Sequence, residues 1–94
     1  YKGAQVFYYK TSEKSERLAK TIQQSLIENA DSTNTRQAKE NDSYYILKKS
    51  EIPAVIVECG FLSNEEESAK LTNEIYQEKI AWAIHIGIMR YLAV

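Results

Sequence analysis

Pro53-Ala54-Val55-Ile56-Val57-Glu58 constrains this chain more than any other segment. A proline, which fixes φ, opens onto four consecutive apolar residues, a run too short for an ordinary helix and of the kind buried on both faces of a parallel sheet. The run ends on a carboxylate. A charge at the end of a buried strand needs a cleft, a hydrogen-bond partner or a nearby cation, and the C-terminal ends of strands are where α/β folds place their sites. From the residues alone Glu58 therefore has two readings: a side chain that reaches solvent at an ordinary strand end, or the carboxylate of a site.

The remaining elements follow from pattern. Ala4 to Tyr9 is short and rich in β-branched and aromatic residues, which predicts a strand. Ser12, with Glu13 and Glu16 behind it, starts a helix whose apolar stripe is Leu18, Ala19, Ile22, Leu26 and Ile27 and which ends near Asn29. Asp31 to Asp42 has almost no large apolar side chain and is expected to be a surface connection. Tyr44 to Lys49 predicts one or two helical turns. Gly60 permits a sharp turn, and Ser63-Asn64 before Glu65, Glu66 and Glu67 predicts a further short helix through Leu71. From Asn73 onward Ile75, Ile80, Ile84, Ile88 and Leu92 recur near helical spacing, with Gly87 marking a close approach to another backbone. The order of elements predicts an α/β fold, a mainly parallel sheet flanked by helices. Its two predicted strands leave edges that further chain, a second chain or self-association would cover.

Composition bounds the function. Among 94 residues the net charge is −1 and the charges are interspersed, so no basic stripe attracts a nucleic-acid backbone, and none is expected as a partner. A lone cysteine, Cys59, forms no internal disulfide, and alternation along the strand sends it to the face opposite Glu58, with Val55 and Val57. His85 is the one histidine and cannot complete a metal site. Arg36 and Lys39 are either solvated loop charges or groups that reach the rim of a site. Tyr8, Tyr9, Tyr44 and Tyr45 are either packing residues or platforms for sugars.

The segment Pro53 to Asn64, followed by Glu66-Glu67-Ser68-Ala69, resembles the signature of the amidase-3 family of N-acetylmuramoyl-L-alanine amidases. Gly3-Ala4-Gln5-Val6-Phe7-Tyr8-Tyr9 resembles the strand after that family's last zinc-binding histidine, and Ile80 to Ile88 resembles its closing helix. The opening residues look most like the germination-specific, spore-cortex branch. This resemblance implies a phosphorylase/hydrolase-like fold and a bacterial hydrolase that cleaves the amide between N-acetylmuramic acid and L-alanine in peptidoglycan. It implies action outside the cytoplasm, at the cell wall or the spore intermembrane space, and leaves room for an activating protein partner.

The resemblance also implies a zinc ion, held by two histidines and a glutamate, and a separate glutamate that activates water. Glu58 matches the separate glutamate and is the catalytic candidate. The ligand motifs match nothing here, so residues 1–94 are expected to be the C-terminal part of a single catalytic domain, holding no zinc by themselves. Tyr1, standing almost directly before an apolar run, agrees with a chain that enters mid-fold. A rival expectation is a noncatalytic module that keeps the scaffold to bind cell-wall polymer or a partner.

Overall fold

The computed structural model describes residues 3–60, Ala69 and residues 72–93. The chain runs β1 (Gln5–Tyr9), α1 (Glu13–Asn29), β2 (Lys39–Asn41), α2 (Tyr45–Lys49), β3 (Val55–Glu58) and α3 (Glu74–Leu92). The starts of α1 and α3 are fixed by side chains that accept otherwise unpaired backbone N–H groups. The Ser12 hydroxyl accepts from the Ser15 N–H at 3.2 Å, and the Asn73 carboxamide oxygen accepts from the Tyr76 N–H at 3.1 Å. The Ser15 hydroxyl in turn accepts from the Ala54 N–H at 3.0 Å, tying the first turn of α1 to the start of β3. The helix expected between Ser63 and Leu71 lies outside the described residues, apart from a helical Ala69.

The sheet corrects two expectations. It has three strands rather than two among the described residues, in the order β2-β1-β3, and it is mixed rather than mainly parallel. β1 and β2 are parallel, with Phe7 opposite Lys39. β1 and β3 are antiparallel, with Gln5 opposite Glu58 and Tyr8 opposite Val55. Lys39-Glu40-Asn41 carries no strand-forming side chain; it is a strand because backbone groups pair whatever the side chains are. Residues 42–54 begin β3 at the end of the sheet where β2 finishes, so the chain is spared the long return that a parallel strand requires. An apolar run reports burial, not direction. Nor is β3 fully buried on both faces, for each of its four residues is half-buried.

The core lies on one face of this sheet. Val6 and Tyr8 from β1 meet Ala19, Ile22 and Leu26 from α1 and Tyr76, Ile80 and Ala83 from α3, with Val55, Val57 and Cys59 packed against them. Gln23 is buried here and replaces a neighbouring strand: its oxygen accepts from the Val6 N–H at 2.9 Å and its nitrogen donates to the Ala4 carbonyl at 3.0 Å. The Ser25 hydroxyl donates to the Ala83 carbonyl at 2.6 Å, which requires α1 and α3 to lie close. Gly87 permits the approach, since a Cβ there would stand 2.8 Å from Ile22 Cα. Farther along, the Arg17 guanidinium sits 3.9 Å over the Tyr91 ring and Arg90 pairs with Glu28 at 2.7 Å.

The stripe expected on α3 is partly wrong. Ile80 is buried, but Ile75 is 65%, Ile88 40% and Leu92 69% exposed. α3 is apolar around much of its circumference, and the side that docks is the one where small Ala83 and Gly87 let the backbones meet. Trp82 and Met89 are left facing outward.

Replacing Gly87 by alanine tests this contact. Helix propensity alone favours alanine by about 1 kcal/mol, whereas overpacking a core contact costs about 1–3 kcal/mol. Backbone cannot yield as a flexible side-chain tip can, so Gly87→Ala is expected to lower stability in urea unfolding. A gain in stability would show that the helices do not meet at Gly87.

Candidate active site on the outer face of the sheet

Alternation places Gln5, Phe7 and Tyr9 of β1, all half-buried, on the face opposite the core. The antiparallel register sets Ile56 against Phe7 and Glu58 against Gln5. α2 lies beside β1, where Tyr44 meets Phe7 edge-to-face with ring centroids 6.1 Å apart. Glu58 is therefore a half-buried carboxylate on the last residue of β3, on the outer sheet face. Beyond it Gly60 has φ 154°, a value that side-chain-bearing residues rarely adopt.

The cross-strand neighbour of Glu58 is held from several directions. Gln5 accepts from the Arg36 guanidinium at 2.6 Å and donates to the Gln37 carbonyl at 2.9 Å. Arg36 is placed by its own backbone N–H, which donates to the Asn34 side-chain oxygen at 2.9 Å. Buried Asn34 donates to the Ala4 carbonyl at 2.9 Å and lies so close to Gly3, at φ 94°, that a Cβ on Gly3 would be 2.5 Å from Asn34 Cγ. The loop read from sequence as a plain surface connection thus packs its Asn34 and Arg36 against the start of β1. Arg36 is not a solvated loop charge, while Lys39 is exposed on β2.

Residues 1–90 match the sequence profile of the amidase-3 family, N-acetylmuramoyl-L-alanine amidase. The chain belongs to this family. It is 41% identical over 91 residues to the germination-specific N-acetylmuramoyl-L-alanine amidase of Bacillus subtilis, a match covering 97% of this chain and 38% of that protein. Among solved structures it resembles the CwlD amidase of Clostridioides difficile, determined in complex with the GerS lipoprotein, at 55% identity and a TM-score of 0.96 over 99% of this chain and 47% of that one. It also resembles the amidase AmiC2 of Nostoc punctiforme at 30% identity and a TM-score of 0.86, over 99% of this chain and 49% of that one. The chain therefore spans less than half the length of these relatives.

Zinc, which the amidase-3 resemblance implies, takes three protein ligands at a catalytic site. Among the described residues of this chain no three His, Cys, Asp or Glu side chains come together. Glu58 lies on the outer sheet face, Cys59 packs against the core, and His85 is exposed on α3 with its ring 5.6 Å from that of Trp82. These groups do not fit a zinc centre by themselves. Of the tyrosines, Tyr8 is a core residue whose phenol burial, helped by Glu16, pushes to a higher pKa; Tyr45 is 73% exposed. A groove of about 490 Å³ between Glu13 of α1 and Arg90 of α3 is not lined by Glu58.

Burial also raises the pKa of the Cys59 thiol, and its place beside Val55 and Val57 makes it a small apolar packing group. Because the thiolate is the reactive form, a raised pKa leaves less of it at any given pH. Cys59 is expected to react with iodoacetamide at pH 8 more slowly than an unstructured cysteine peptide. Equal rates would show that the thiol is not protected by packing.

Proposed function

We propose that this chain is the base-carrying part of a peptidoglycan amidase, with Glu58 moving the proton in hydrolysis of the bond between N-acetylmuramic acid and L-alanine. The observation that carries the reading is the position of Glu58: a half-buried carboxylate at the end of β3, on the open sheet face of an amidase-3 chain. Amide hydrolysis needs a group that removes a proton from the attacking water and a group that protonates the departing amine. One carboxylate performs both in turn, because accepting the first proton turns it into the acid required for the second step. The half-buried setting limits competing solvent while leaving the carboxylate open to substrate.

The zinc ligands, on this reading, come from the part of the domain beyond these 94 residues, as the family relationship suggests. On the same reading that further part covers the outer sheet face and the edge of β3 left unpaired among the described residues. Action is outside the cytoplasmic membrane, where peptidoglycan lies; no described helix is long and apolar enough to cross a membrane. A protein partner is part of the proposal. It is supported by the lipoprotein bound to the Clostridioides difficile relative and by Ile75, Trp82, Met89 and Leu92, exposed on α3.

The test is Glu58→Gln in the complete amidase that carries this sequence. The amide has nearly the same shape but accepts no proton from water, so muropeptide cleavage is expected to fall by about 10²- to 10⁴-fold with the thermal unfolding curve unchanged. Cleavage near the wild-type rate would remove Glu58 from the reaction.

A further inference from the structure

α3 buries one side and leaves the other uncovered. Tyr76, Ile80, Ala83 and Gly87 are its buried residues, and they face α1 and the core. On the opposite side Ile75, Trp82 and Met89 are 65%, 57% and 53% exposed. They recur every seven residues, two helical turns apart, and so form one nearly straight apolar line about 21 Å long. Glu78 and His85, also exposed and also seven apart, lie beside that line. An apolar stripe rimmed by polar groups in this way marks a docking surface.

The charges on the stripe select what docks there. Neither Glu78 nor His85 has an oppositely charged residue three or four positions away on α3, where a helix places its own ion-pair partners. A lipid surface is a poor occupant, because Glu78 lies between Ile75 and Trp82 and would enter it uncompensated. A second copy of α3, laid antiparallel with Trp82 at the two-fold axis, matches every position. Ile75 stands seven residues before Trp82 and Met89 seven after, so each meets the other's copy. Glu78 stands four before and His85 three after, so carboxylate meets imidazole. Trp82 meets itself. The imidazole already leans on the indole, ring centroids 5.6 Å apart, which keeps it at the seam. A parallel pair would instead set Glu78 against Glu78. This self-match is what a two-fold dimer demands, since residue i must touch j where j touches i.

We propose that the outward stripe of α3 is a homodimer interface, in which two copies pair antiparallel through Ile75–Met89, Trp82–Trp82 and Glu78–His85 contacts. The inference rests on the reading that a protein covers this face, and names that protein as a second copy of this chain. A seam made by one helix from each copy is small, so the dimer belongs with the weak, concentration-dependent interfaces.

The experiment follows the complete, zinc-loaded amidase by sedimentation equilibrium from micromolar to millimolar concentration, with thermal unfolding of dilute protein as the control for folding. The wild type is expected to pass from monomer to dimer. Trp82→Glu sets two carboxylates at the axis and is expected to weaken association by about 30-fold or more, the loss of a central aromatic anchor. Glu78→Arg and His85→Glu should each weaken it on the order of 10-fold, because every dimer carries the pair twice, and the double variant should recover most of the loss. Register is read by mild oxidation in a Cys59→Ala background. Trp82→Cys is expected to give a disulfide dimer by itself, and Ile75→Cys only when mixed with Met89→Cys. A dimer that survives Trp82→Glu lies on another face and overturns the proposal. A monomer at every concentration overturns it too, and maleimide labelling of Trp82→Cys then decides the wider reading. Rapid labelling leaves the face open to a different protein, so this inference falls alone. Slow labelling means the amidase covers the face itself, and the protein partner is removed from α3 as well.

Discussion

The close approach of α1 and α3 is the contact on which the rest of the structure depends. At Gly87 the two helices come so near that a single methyl group would meet the Ile22 backbone, and one turn away the Ser25 hydroxyl reaches the Ala83 carbonyl. Small residues on both helices allow Ile22, Leu26, Ile80 and Tyr76 to close over Val6 and Tyr8 in one core. Committing both long helices to one core leaves the opposite face of the sheet to Gln5, Phe7, Ile56 and Glu58.

That division of faces connects the fold to its chemistry. Along β3, Val55 and Val57 face the core while Ile56 and Glu58 face outward, so the same four residues anchor the strand and present the carboxylate. Cys59, next in line, returns to the core side, where burial raises the pKa of its thiol. Neighbouring residues thus have opposite fates for a reason no deeper than strand alternation. β1 works the same way, with Val6 and Tyr8 inward and Gln5 outward beside Glu58.

Side-chain amides take over where the sheet ends. Near Ala4 and Val6, Gln23 and Asn34 satisfy backbone groups with hydrogen bonds of 2.9–3.0 Å. Leaving such groups buried and unpaired costs about 1–3 kcal/mol each, so both residues are held in place by the strand they complete. Asn34 then passes that fixed position to Arg36, and Arg36 to Gln5. The outer face gains a rigid corner from residues whose partners lie some thirty positions away in sequence.

The sequence by itself determined what local chemistry controls. Ser12 as the start of α1, the extents of β1 and α1, the strand ending at Glu58, the inward turn of Cys59 and the close approach at Gly87 all follow from a residue and its near neighbours. Tertiary structure alone decided what depends on which distant segments meet. The direction of β3 was illegible because an apolar run reads the same way in either orientation. β2 was illegible because Lys39-Glu40-Asn41 forms a strand through backbone pairing that its side chains do not announce. The outward fate of Ile75, Ile88 and Leu92 was illegible because on a helix apolar nearly all round, docking goes to the side with the smallest residues and not to the most apolar stripe. The pairing of Gln5 with Glu58 is of the same kind: register is a relation between two strands, set by how the whole sheet seats on its helices, and neither strand carries it alone.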